Sequence, residues 1–106
     1  MIWYKFHIGD YLVETMHLAD AEDLAYRRLL DCYYISEQPL PLDLEAVARR
    51  VRLDEDVVIP VLTEFFERTD VGYINARADK EIASRAARVE INRNSGKLGG
   101  RPKKVI

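Results

Sequence analysis

Four residues, Gln38-Pro39-Leu40-Pro41, constrain the fold more than any others in the chain. Two prolines at this spacing cannot lie inside a helix. Each ring removes a backbone donor and pushes the residue before it out of helical geometry. The segment therefore ends the helix before it and makes the chain turn. What precedes it has a clear helical period. From Asp20 to Ser36, the residues Ala25, Leu29, Cys32 and Tyr33 fall on one face, flanked by Ala21 and Tyr26. Asp23, Arg27 and Asp31 lie opposite at i,i+4 spacing, as ion pairs. Asp20 is placed to cap this helix, with Asp23 three residues on in the manner of a capping box. The spacing predicts an amphipathic core helix over 20–36, with Cys32 inward as a small buried hydrophobe.

The rest of the chain can be divided around that helix. Trp3 to Ile8 alternates, with Tyr4, Phe6 and Ile8 on one side, which predicts a short strand or extended arm broken by Gly9-Asp10. Its aromatic residues (Trp3, Tyr4, Phe6 and Tyr11) suit a core or a dimer interface better than a base-stacking platform, so a homodimer is one expectation. After the prolines, Asp43 is placed to cap a second helix running through Arg52, with Leu44, Val47, Ala48 and Val51 inward. Asp54 is placed to cap a third, to about Glu67, with Val58, Val61, Leu62, Phe65 and Phe66 inward and Pro60 as a kink or a late regular start. The period then shortens. Phe66–Thr69, the turn Asp70-Val71-Gly72 and Tyr73–Asn75 read as a β-hairpin. A last helix starts between Ala76 and Asp79, with Ala78, Ile82, Ala86 and Val89 as its apolar stripe. The polar run Asn92-Arg93-Asn94-Ser95-Gly96 is expected to end it. The fold class expected is α+β, mainly helical and winged-helix-like, with three helices, a hairpin wing and a C-terminal helix. Residues 1–92 form the domain and 93–106 a flexible basic tail.

Charge divides the chain more sharply than its net value of −2 suggests. Residues 1–84 hold 9 Lys and Arg against 17 Asp and Glu, whereas residues 85–106 hold 7 against a single acid, Glu90. Basic ends of this kind meet phosphate backbones or acidic protein surfaces. One cysteine cannot form an internal disulfide, which points to a reducing, cytoplasmic setting. No signal peptide and no apolar run long enough to span a membrane is visible.

No signature of catalysis stands out. The Gly96-Lys97 pair lacks the upstream glycine of a phosphate-binding loop, since Ile91 holds that position. His7, Asp10 and His17 match no dependable metal spacing, and Cys32 has no basic neighbour at a helix start to activate it. The expectation is a protein that is not an enzyme, with no cofactor, no metal and no small-molecule substrate.

Several stretches carry a resemblance. HIGDYL (His7–Leu12), TMHL (Thr15–Leu18), AYRRLLDCYY (Ala25–Tyr34), PLP (Pro39–Pro41), FF (Phe65-Phe66) and GY leading to RADKE (Arg77–Glu81) occur in the order seen in the YdaU-like phage family. This is a domain of unknown function found in phage and prophage proteins, often at the front of replication proteins. The resemblance covers residues 3–90 and implies a winged-helix-like domain near phage DNA replication. Many members continue into a second domain, so a chain ending at residue 106 is not expected to act as an autonomous initiator.

Two functions follow as expectations. In a helix–turn–helix the second helix enters the major groove. Here that helix opens Asp54-Glu55-Asp56 and carries Glu64 and Glu67, which phosphates would repel. DNA contact is therefore expected from Arg77, Lys80, Arg85 and Arg88 of the last helix and from Arg93, Lys97, Arg101, Lys103 and Lys104 of the tail. The contact would be weak, backbone-directed and poor in sequence readout. Gly100-Arg101-Pro102-Lys103-Lys104 resembles the second half of an AT-hook, with Gly99 in place of the first core arginine. The alternative is an acidic protein-binding module. Asp54, Glu55, Asp56, Glu64 and Glu67 would dock on a DNA-handling complex of host or phage by imitating phosphates, as an inhibitor of a CRISPR or other defence complex would.

Overall fold

The computed structural model describes residues 2–99, with side chains described through Ile91. The elements are α1 (Ile8–Thr15), α2 (Asp20–Ser36), α3 (Leu44–Val51), α4 (Glu55–Phe65), β1 (Glu67–Thr69), β2 (Gly72–Ile74) and α5 (Ala76–Gly99). The fold is mainly helical α+β, with β1 and β2 as a two-stranded antiparallel hairpin.

The core gathers around α2, which packs against α3, α4 and α5. Ala25, Leu29 and Tyr33 of α2 are almost fully buried with Val47 and Val51 of α3 and Val58, Val61 and Leu62 of α4. This is the apolar stripe expected from the sequence, Tyr26 included, widened by Leu30 and Tyr34, but Cys32 is only half-buried and Ala21 is exposed. Burying a side chain of this size stabilises by about 1.5–3 kcal/mol. Polar bonds fix the ends. Asp43 Oδ1 accepts from the Glu45 and Ala46 N–H groups at the start of α3. Arg28 Nη1 donates to the Val51 carbonyl at the other end, 2.7 Å away. Such a charged donor answers one of the carbonyls a helix leaves unpaired.

The proline segment does more than stop α2. Leu40 and Tyr73 exchange both backbone bonds at 2.9 Å, so the segment pairs with the outer side of β2. Leu40 itself is buried in the core. The helix stop and the hairpin thus form one structural joint.

Several expectations are corrected. Residues 2–7 form no strand. They run as an arm over α2, where the Tyr4 ring stacks on Tyr34 at 3.9 Å and its hydroxyl donates to Asp31. Of the alternating face, the aromatic stack covers only Tyr4, while Phe6 and Ile8 stay exposed. Gly9-Asp10 is not a break: it lies in the first turn of α1. The N-cap of α2 is Ala19, not Asp20, and Glu22 accepts from the Ala19 N–H at 2.9 Å. Only this half of a capping box can form, since alanine has no side-chain oxygen. Asp23 instead accepts the Tyr11 hydroxyl. Asp54 does stand at the N-cap of α4, but its side chain makes no capping bond, and the helix ends at Phe65, which leaves Glu67 in β1. Finally, α5 runs through the Asn92–Gly96 stretch to Gly99. Apart from Arg93, those residues are weak helix formers, with glycine costing about 1 kcal/mol, but a weak preference alone does not stop a helix.

Candidate nucleic-acid interface

The cations expected to touch DNA fall into three groups. Arg77 is exposed but engaged by the protein's own carboxylates. Its Nη2 lies 2.6 Å from Asp10 Oδ2 and its Nη1 lies 2.9 Å from Glu14 Oε1, both on α1. Burial pulls its pKa down, but Glu14 and Asp10 outweigh that and hold the guanidinium above its ordinary range. Its charge is spent on fastening α1 to α5. Arg85 is also engaged, with its guanidinium 4.1 Å above the Trp3 ring, a cation–π contact that pins the N-terminal arm. Lys80 and Arg88 are exposed and form no ion pair among the described residues. Arg93 and Lys97 lie on the last turns of α5, while Arg101, Lys103 and Lys104 lie outside the described residues.

The acids of the alternative reading are similarly divided. Asp54, Glu55 and Asp56 stand together and exposed at the start of α4, where they complement the helix dipole. Glu64 is 2.7 Å from His17 Nε2, which ties α4 to the chain just beyond α1. Glu67 is exposed on β1. Other cations border this region. Arg49, Arg50 and Arg52 end α3, with Arg49 3.8 Å from Glu45.

The residues weighed for chemistry have other partners. His7 faces Glu81 at 3.4 Å, His17 faces Glu64, and Asp10 holds Arg77, so each of the three is engaged by a different partner. No group of three or more His, Cys, Asp or Glu suited to one metal ion occurs among the described residues. Burial pushes the Cys32 thiol up, against the pull of Arg50, which makes it a poorer nucleophile. A cavity of about 40 Å³ lies between the arm, α1, α2 and α5, lined by Tyr4, Phe6, Tyr11, Tyr26 and Tyr34. That volume suits about one to three water molecules. Among the described residues, no helix is long and apolar enough to cross a membrane.

The element missed in the sequence is α1. Its apolar residues face outward, so a search for core-facing stripes passes over it. The signal was nevertheless present, in Ile8, Leu12 and Met16 at i, i+4 and i+8.

These features define a small, mainly helical α+β domain whose last helix carries cations away from an acidic body. The chain belongs to the family described as protein of unknown function (DUF1376), whose model matches residues 2–83. It is similar to "Uncharacterized protein YdaU" of Escherichia coli (strain K12), with 32% identity over 83 residues. The alignment covers 77% of this chain and 29% of the relative, so the chain spans less than a third of the length of the curated relative it matches. No solved structure matches. The family match takes in Arg77 and Lys80 and ends before Arg85.

Proposed function

We propose that this chain is a winged-helix-like nucleic-acid-binding accessory protein linked to phage DNA replication, gripping phosphates through α5 and the basic residues that follow. The order α2, α3, α4, hairpin supports the winged-helix reading, and Leu40 supplies a third pairing position beside β2. The observation that carries the reading is on α5. This helix has 24 residues, and Lys80 and Arg88 lie exposed along it. The sequence adds five more cations beyond Arg88. A helix of that length spans about 36 Å, enough to follow a duplex backbone for about one turn. Arg77 is not part of this grip, because Asp10 and Glu14 already neutralise it. The test is a gel-shift titration on duplex DNA at low salt. Deleting residues 93–106 should weaken binding at least tenfold, and Arg88→Gln should weaken it by about two- to fivefold with a shallower salt dependence. Unchanged binding by the deletion removes the proposal.

A second reading has its own observation. Asp54, Glu55 and Asp56 are all exposed on one helix end, where they could imitate phosphates toward a DNA-handling protein complex. Pull-down from nuclease-treated host lysate would show a partner that is lost on reversing all three charges. Absence of any such partner, with DNA binding intact, removes this alternative.

A further inference from the structure

Among the described residues, two helix faces lack a partner, and they complement each other. The first is on α1. Ile8, Leu12, Val13 and Met16 cover one continuous side of that helix, and each is between 59% and 82% exposed. The opposite side is fully used, by Tyr11 against Asp23, Thr15 on the Tyr11 carbonyl, and Asp10 and Glu14 on Arg77. So α1 is amphipathic with its apolar side outward, the reverse of what a surface helix needs. A shallow groove beside it, between α1 and α2, is lined by Tyr11, Leu24, Asp20 and Asp23, with Arg27 at its edge. Leu24 is 42% exposed there.

The second face is on α5. Ala78 is buried and Ile82 packs on the core, so the stripe seats α5 on the body as far as Ile82. The same stripe continues through Ala86 and Val89, which are exposed, with Val89 at 46%. Arg85 and Arg88 border it on one side at helical spacing. A helix turn with no packing beneath it is marginal in water. This exposed part of α5, a C-terminal arm, cannot cover its own α1. Glu81 already faces His7 at the start of α1, and Val89 lies two turns further along a continuous helix.

We infer that the arm of one chain docks its Ala86–Val89 stripe on the outward face of α1 in a second copy, and that two chains do so reciprocally. Charge favours this occupant. The apolar face of α1 belongs to a body holding 17 acids against 9 cations, with Asp20 in the adjoining groove, and the arm belongs to a segment holding 7 cations against one acid. Reciprocal exchange makes two identical contacts about a two-fold axis and closes the assembly. The contact needs no nucleic acid.

Sedimentation equilibrium of the full chain without DNA tests this. The expected mass at low salt is about 25 kDa, twice the 12.3 kDa of one chain, and it should fall toward one chain as salt rises. Leu12→Asp and Val89→Asp change exposed positions, so each should keep the wild-type circular dichroism and sediment as a monomer. Mixing these two variants should restore association, because the intact arm of the first can use the intact α1 face of the second. Three results would overturn the inference: a monomeric wild type at all concentrations, a dimer that survives at least one of the two substitutions, or two monomeric variants that fail to associate when mixed. Pairing of α1 with α1, or of α5 with α5, would appear as the second of these.

Discussion

Gly72 sits at φ +146°, a backbone geometry that side chains rarely adopt, directly beneath the proline segment. A Cβ there would lie 2.3 Å from the Leu40 carbonyl oxygen and 2.8 Å from the Pro39 Cβ. Both neighbours are fixed, one by its bond from Tyr73 and the other by its own ring. Gly72→Ala should therefore cost about 2–4 kcal/mol, combining backbone strain with overpacking, as read from a urea titration. A loss below about 1 kcal/mol would mean that the Leu40–Tyr73 pairing is not the joint described here. In the sequence, Asp70-Val71-Gly72 marked the turn correctly. The close approach of Leu40 was not legible there, because it joins residues more than thirty positions apart.

At the scale of the element, α1 shows how little of its attachment is apolar. Only Thr15 among its residues is buried, Tyr11 stacks on Tyr26, and the other attachments are polar. Arg77 grips its middle, while His7 reaches Glu81 at one end and His17 reaches Glu64 just past the other. The Arg77 pairs are about half exposed, so solvent screens them and each contributes no more than about 1 kcal/mol. Arg77→Gln should lower stability by about 1 kcal/mol at low salt, with the difference shrinking as salt is added. The same substitution should leave DNA affinity within about twofold of wild type, in contrast to Arg88→Gln. A loss of affinity as large as that of Arg88→Gln would return Arg77 to the phosphate grip. The sequence grouped Arg77 with Lys80 and Arg88 because all three avoid the apolar stripe. It could not indicate that one of them meets two carboxylates on a helix more than sixty residues earlier.

At the scale of the whole molecule, tyrosines link the arm, α1, α2 and α5. The ordinary tyrosine pKa of 10.0 rises to about 12 at Tyr4, through burial and then its bond to Asp31. Tyr33 also rises to about 12, through burial and then its bond to Asp79, and Tyr26 does so through burial and then Glu14. Burial raises Tyr11 and Tyr34 as well. The fold thus holds the neutral phenol, and the unfolded chain gives up these protons first. Stability should be intact below about pH 10, decline as pH rises from there, and be lost through about pH 12. Tyrosinate absorbance and helical circular dichroism should then change together. Tyrosinate appearing well before the helices melt would show that these phenols are open to solvent. Much of the fold was legible from local signals: the stripe of α2, the Asp43 cap, the prolines and the hairpin turn each act within a few residues, where periodicity and backbone geometry decide the outcome. The sequence by itself therefore determined where α2, α3, α4 and the hairpin lie, and that positive charge collects at the C-terminal end. Only the tertiary structure decided that the N-terminal aromatics stack on α2, that α1 turns its apolar face outward, and that Lys80 and Arg88 stay open while Arg77 does not. Those outcomes depend on which distant groups come within a few ångströms of one another, and neither period nor composition encodes that distance.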